Sequence, residues 1–420
     1  MKPTHIDYTT LYGASRAIEP KDLSIGLPLS RLLSLNQFIE AIVLNDCITY
    51  EIGSSPDWQL YSDLLENSHL MRNAKKFDLP LRRLNQQIDN DYKTVKKAVK
   101  WAVDVIPKVD LQSLLWALHF RWGTYEGVLT GDENIQNPIV LRYLEIANSV
   151  QDGVFSANFN KALQILYQNG IGPVGFSIMV RIGIFKHTMI STGTTYYFPH
   201  YSRQPIFTSL ADRGYRIHTW TIEQIRNIRK TILRENQELE KNEDNILSQS
   251  LSPIFIACLN NAKHPEQIIE NAIILRESKA AKDYRKELTS VLEQSAINPE
   301  AYQLYKTRIG ERTRNLNDLL FHRGKKEEYS KSWNIGSGIG IPFLLNSRFG
   351  FSYGGRITHE KRNIPGDRAA IFLSDILRQA LGIVQVEAKL SKIFGSNFYY
   401  DTGIIAFARP KEFPYECDGK

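Results

Sequence analysis

Cysteine is scarce in this chain. Cys47, Cys258 and Cys417 lie far apart, no CxxC pair occurs, and an odd count leaves no complete disulfide framework, so a reducing compartment is expected. Long hydrophobic runs are also missing. The N-terminal stretch MKPTHIDYTTLYG lacks the continuous apolar core of a signal peptide. The most apolar long window, Gly170 to Phe185, is interrupted by Gly172, Pro173, Gly175, Arg181 and Gly183, which argues against an unaided membrane span. Together these absences predict a soluble, cytoplasmic protein with no membrane partner.

Other absences remove whole chemistries. No GxxxxGK[ST] loop is present. Gly336-Ser337-Gly338-Ile339-Gly340 lacks the third glycine of a dinucleotide fingerprint and runs into Pro342, so it reads as a turn between strands. The histidines never fall into HxH, HExxH or HxxxH spacing, and no cysteine cluster joins them, so neither a metal site nor a resident cofactor is expected. GxSxG is absent, and Cys258 sits in an apolar helical run with no base beside it to lower its pKa.

What is present is an ordinary globular composition, 42% hydrophobic and 23% charged over 420 residues, with a formal charge of +7. That balance leaves room for a polyanionic partner without requiring one. The chain predicts an α+β, predominantly α-helical fold: a helical body around a long central helix, with a smaller β-containing C-terminal portion. Three regions are expected, an N-terminal helical region over 1–170, a mixed segment leading into the central helix over 171–330, and an α+β region over 331–420.

The central stretch begins with PIFIACL (Pro253 to Leu259), a helix with no polar face and therefore buried on most sides. After a polar connection, Pro265 opens a helix predicted to run unbroken to about Glu293. Its apolar stripe comprises Ile268, Ile269, Ala272, Leu275, Ala281, Tyr284, Leu288, Val291 and Leu292. Elsewhere residues 1–26 read as loop, 80–87 as helix, and Ile178–Phe185 and Ser191–Phe198 as strands because of their β-branched and aromatic content. Ser156 and Asn158 are candidate caps for a helix closed by Gly170, and the polar run 235–250 is the best linker.

Positive charge is placed in clusters. On a helix predicted over 91–106, Val95, Ala98, Val99, Ala102, Val103 and Ile106 form the apolar stripe. Lys93, Lys96, Lys97 and Lys100 fall at i, i+3, i+4 and i+7 and share another face, the footprint of phosphate contact. Arg308, Arg312 and Arg314 lie on or beside a helix predicted over 299–322, with Lys326 shortly after. Phe351 and Tyr353 alternate on a predicted strand flanked by Arg348 and Arg356, the arrangement that stacks and holds single-stranded nucleic acid.

Two nuclease patterns stand beside this. Asp367 followed by Glu387-Ala388-Lys389 resembles, in its final tripeptide, the PD-(D/E)XK nucleases. The resemblance implies two carboxylates holding magnesium and a lysine assisting the attacking water, with magnesium as cofactor. Arg213-x4-His218 and Arg181-x5-His187 resemble the RNase motif of HEPN domains, where Arg and His act on the ribose 2′-hydroxyl and the scissile phosphate. That family carries its motif on a helix of a bundle, whereas both copies here read as strand. The leading expectation is a non-catalytic protein binding DNA or RNA, or another polyanion, through basic surfaces. A magnesium-dependent nuclease and a protein–protein scaffold or homo-oligomer subunit are the alternatives.

Overall fold

The computed structural model describes residues 4–19, 27–50, 65–83, 92–109, 114, 138–192, 196–198, 200–201, 222–231, 233, 250–297, 300, 303–311, 367–383, 385–395 and 398–399. The N-terminus, expected to be loop, instead starts the sheet. Strand β1 (Thr4–Ile6) runs into helix α1 (Tyr8–Ile18), followed by β2 (Leu27–Pro28), α2 (Leu29–Leu44) and β3 (Ile48–Tyr50). After α3 (His69–Lys76) comes β4 (Leu81–Arg83), a strand where sequence spacing predicts a helix. Three residues are too few to show a period of two, so pairing rather than pattern makes these segments strands.

All pairings in this sheet are parallel: β1 joins β3 with Thr4 opposite Ile48, and β3 joins β4 with Ile48 opposite Leu81. On the other side β1 joins β5 (Tyr196–Phe198), with Thr4 opposite Tyr196, giving the order β4-β3-β1-β5. Side chains of β1 and β3 are buried on both faces, as parallel strands require. Edge strand β4 carries exposed Arg82 and Arg83, charges that discourage further pairing. The main sheet is therefore N-terminal, a correction to the C-terminal β portion read from sequence. Among the described residues the C-terminal region contributes β6 (Phe398–Tyr399), paired with β2.

Between β4 and β5 the described residues include the helices α4 (Tyr92–Val105), α5 (Pro138–Asn148), α6 (Gly153–Gln168) and α7 (Gly172–Thr192). They share one core containing Val95, Ala98, Val99, Ala102, Tyr143, Phe159, Leu166, Phe176 and Ile182. Asp152, not Ser156 or Asn158, caps α6, its carboxylate accepting from Val154 N at 2.9 Å. The helix ends as expected at Gly170. There φ of +71° lets Ile171 N reach Leu166 O and Gly170 N reach Tyr167 O, both at 3.0 Å. Residues 178–185 are the interior of α7, not a strand. Ile178, Met179, Val180, Ile182 and Ile184 are all buried, so contact on most sides of the helix overrides their β preference.

A second core joins the sheet to α1, α2, α8 (Pro253–Asn260), α9 (Pro265–Glu277), α10 (Lys279–Ile297), α11 (Asp367–Ala380) and α12 (Val386–Phe394). Every residue of α8 from Pro253 to Leu259 is buried, as its missing polar face predicts. Burial of Ile254, Phe255, Ile256 and Leu259 contributes roughly 2 kcal/mol each. The predicted central helix is broken at Ser278 (φ −58°, ψ 147°), whose hydroxyl caps the next helix by accepting from Ala281 N at 3.2 Å. The break brings two arginines to the end of α2. Arg276 donates to Ile42 O at 2.7 Å, and Arg285 donates to Val43 O at 2.9 Å and to Asp46 Oδ1 at 2.7 Å. These guanidinium groups occupy carbonyls that a helix C-terminus leaves unsatisfied.

Candidate nucleic-acid interface

Helix α4 forms where its spacing predicts, with Val95, Ala98, Val99, Ala102 and Val103 all buried. The lysines consequently face outward: Lys93, Lys97 and Lys100 are exposed and Lys96 is half-buried, its ammonium 6.0 Å from the Tyr92 ring centre. Among the described residues, Lys96, Lys97 and Lys100 form no ion pair.

Helix α7 adds to this face. At Gly183 it lies so close to α4 that a Cβ would stand 3.0 Å from the Ala98 carbonyl oxygen and 2.7 Å from the Trp101 ring. One turn on, Lys186 rests its ammonium 5.4 Å from the centre of the Trp101 ring. His187 donates to the backbone carbonyl of Lys97, while its buried Nε2 has no hydrogen-bond partner among the described residues. Burial holds the imidazole below its usual pKa, and the positive charges of Lys186 and Lys97 depress it further. Burial also lowers the pKa of Lys186. Sequence reading missed Lys186 because it took this stretch for a strand. Helical numbering from Gly183 is the signal that aligns Lys186 and His187 with α4.

The other predicted groups distribute differently. Arg308, in the helical residues 303–311, is exposed and paired with Glu311 at 3.3 Å. Arg312, Arg314, Lys326, Arg348, Phe351, Tyr353 and Arg356 lie outside the described residues, as do Arg213 and His218. Asp367 is the first residue of α11. Glu387 is exposed in the first turn of α12 and Lys389 is half-buried, so this tripeptide is helical, not on the strand the PD-(D/E)XK pattern supposes. Among the described residues no three His, Cys, Asp or Glu side chains are grouped to hold a metal ion. Arg181 and His187, by contrast, both lie on α7, within a group of helices.

A second polar arrangement, which sequence reading did not find, lies where β1 and β5 end. Successive strands first proceed from β1 towards β4, and then β5 returns to the opposite side of β1, a reversal where parallel sheets open a crevice. Asp7 caps α1 through Thr9 N at 2.9 Å and also accepts from His200 N at 3.4 Å. His200 Nε2 lies 3.1 Å from Ser34 Oγ, which donates to Ser30 O at 2.9 Å. The serine has one proton to give, so Nε2 is the donor in the former bond. Gln37 Oε1 accepts from Thr10 and from Tyr201 N at 3.2 and 2.8 Å. Asp7, Thr10, Ser34, Gln37 and His200 are all buried and bonded to one another, so the network ties α1 and α2 to the sheet.

Further along α2, Glu40 is buried beside Asn36 and Ser252, with Arg226 as the nearby positive charge. Burial pushes its pKa up to about 7. Burial likewise raises the pKa of the Cys258 thiol, making it an unreactive core group. Among the described residues no helix is long and apolar enough to cross a membrane. The fold is thus a small parallel sheet wrapped in helices, with a separate helical core carrying a basic face. Comparison with known proteins returns no matching family model, curated protein or solved structure.

Proposed function

We propose that the protein binds nucleic acid through the face formed by Lys93, Lys97 and Lys100 of α4 and Lys186 of α7. The observation that carries this reading is the exposure of Lys93, Lys97 and Lys100 on one face of α4 with Lys186 of α7 set over Trp101 beside them; among the described residues no acid offsets the action of Lys97 and Lys186 on His187. Lys93 to Lys100 spans about 10 Å of helix, the axial length of about three phosphates on one strand. An anionic membrane surface suits the face less well. A helix lying in a lipid interface turns its apolar side outward, whereas the apolar stripe of α4 is committed to the core.

The test is fluorescence anisotropy with duplex DNA and with single-stranded RNA at about 50 and 200 mM salt. Replacing Lys93, Lys97, Lys100 and Lys186 by glutamine should weaken binding at least about tenfold and flatten the logarithmic salt dependence by about 3. Circular dichroism of the variant checks that the fold persists. Wild-type protein that binds neither ligand at the lower salt ends the proposal.

A second reading is catalytic and is favoured by Arg181 and His187 sharing one helix, the context that the HEPN motif requires. His187 is held below its usual pKa and is thus neutral at pH 7, the form that accepts a proton from a ribose 2′-hydroxyl. This reading predicts cleavage of single-stranded RNA but not DNA, without added magnesium, lost in His187→Gln. Intact RNA after prolonged incubation with the wild-type protein removes it.

A further inference from the structure

We propose that Lys97, Lys186 and His187 form a phosphate subsite in which His187 is neutral in the free protein and takes up a proton when a nucleic-acid phosphate docks. The inference rests on the nucleic-acid reading above and adds a proton-linked step to it.

The geometry supplies each part. Gly183 brings α7 against Ala98 and Trp101 of α4, and the same close approach sets His187 against the Lys97 carbonyl. Nε2 has no hydrogen-bond partner among the described residues, so the bond to that carbonyl is made by Nδ1, which must then carry the hydrogen of the neutral ring. The lone pair therefore resides on buried Nε2. A proton added there creates an imidazolium in the field of the Lys186 and Lys97 ammonium groups, which is unfavourable while the lysines stand uncompensated. The charges acting on the ring are Lys186 from its own helix and Lys97 from α4, and α5 and α6 contribute none among the described residues. A phosphate seated on Lys97 and Lys186 reverses that field. It offsets both ammonium groups and supplies the counter-charge for an imidazolium. The proton comes from solvent and is released when the phosphate leaves. By linkage, a ligand that favours the protonated ring must bind more tightly as pH falls through the ring's titration range.

The experiment measures binding of a duplex DNA of about 20 base pairs at fixed salt between about pH 5.5 and 8. DNA has no 2′-hydroxyl, so ribonuclease activity cannot disturb it. Wild-type protein is compared with His187→Asn, whose amide N–H can still donate to the Lys97 carbonyl but which does not titrate. The C2–H resonance of His187 is followed in the free and the DNA-bound protein. Affinity of the wild type should rise about five- to tenfold across this range, affinity of the variant should stay nearly flat, and the imidazole should titrate about one unit higher in the complex. Equal pH dependence in the two proteins, or an unmoved resonance, overturns the proton-linked step while leaving DNA binding intact. If neither protein binds DNA, the nucleic-acid reading fails and this inference with it. Binding confined to anionic lipid vesicles also overturns both.

Discussion

Gly183 of α7 faces Ala98 of α4 at a separation that admits no side chain: a Cβ on the glycine would lie 3.1 Å from the Ala98 Cα and 3.0 Å from its carbonyl oxygen. The obstacle is backbone, which cannot rotate away as a flexible side-chain tip can. Gly183→Ala must therefore push the two helices apart, despite alanine's better helix propensity. We expect a loss of about 2 kcal/mol in chemical denaturation, together with weaker DNA binding as Lys186 and His187 move from Lys97. A stabilised variant with unchanged binding contradicts the close approach.

Buried ionisable groups set opposing pH dependences. The pKa of Glu40 is raised from 4.5 to about 7, mainly by burial, so the folded protein holds a proton that the unfolded chain has released. Its contribution to stability consequently declines as pH rises from 4.5 to about 7. His5 is depressed from 6.5 to about 4 by burial, so stability is lost as pH falls between those values. Because the windows overlap, the wild-type profile partly conceals both. Glu40→Gln should gain on the wild type by about 3 kcal/mol between pH 4.5 and 8, and denaturation curves at both ends read this directly. Parallel profiles for the two proteins refute the assignment.

Arg276 satisfies carbonyls of Ile42, Asn45 and Asp46 at the end of α2. Arg276→Met keeps much of the apolar stem but leaves those acceptors without their donor, at a cost of about 3 kcal/mol. Lysine, with a single ammonium, cannot reproduce the fork, so Arg276→Lys should recover less than half of the loss. Thermal melting of both variants decides; a melting temperature within a degree or so of the wild type in Arg276→Met would show the cap to be dispensable.

Asp7 joins the start of α1 to His200, which follows β5. Asp7→Ala removes the acceptor for Thr9 N and His200 N, both on buried residues, and should cost about 2–3 kcal/mol. Asparagine caps helices as well as aspartate does but offers one acceptor oxygen, so Asp7→Asn should keep the bond from Thr9 N, lose the one from His200 N, and recover about half of the loss. If the two variants are equally unstable, the carboxylate's charge, not its cap, is what matters there.

Periodicity made part of this molecule legible before any coordinates. The α4 stripe, the wholly buried α8 and the alternating buried positions of α9 and α10 follow directly from residue spacing, because a helix long enough to repeat its pattern declares which side is apolar. The outward direction of Lys93, Lys97 and Lys100 follows from the same count. Gly170 closed α6 as expected, since a positive φ there costs glycine little.

Other features had no local signal. A three-residue strand such as Thr4–Ile6 has too little length to announce itself, and β-branched residues in α7 suggested extension until surrounding helices buried them. The break at Ser278 reflects a competition that local sequence does not settle: its side chain caps α10, and the new direction brings Arg276 and Arg285 together on α2.

By itself, then, the sequence determined the helical character, the buried faces and the lysine stripe, because these depend on chemistry repeated within one segment. Tertiary structure alone decided the parallel order of the sheet, the Asp7–His200–Ser34 network and the meeting of Lys97, Lys186 and His187. Each of those joins residues far apart along the chain, and only the packing of whole helices and strands brings them within reach.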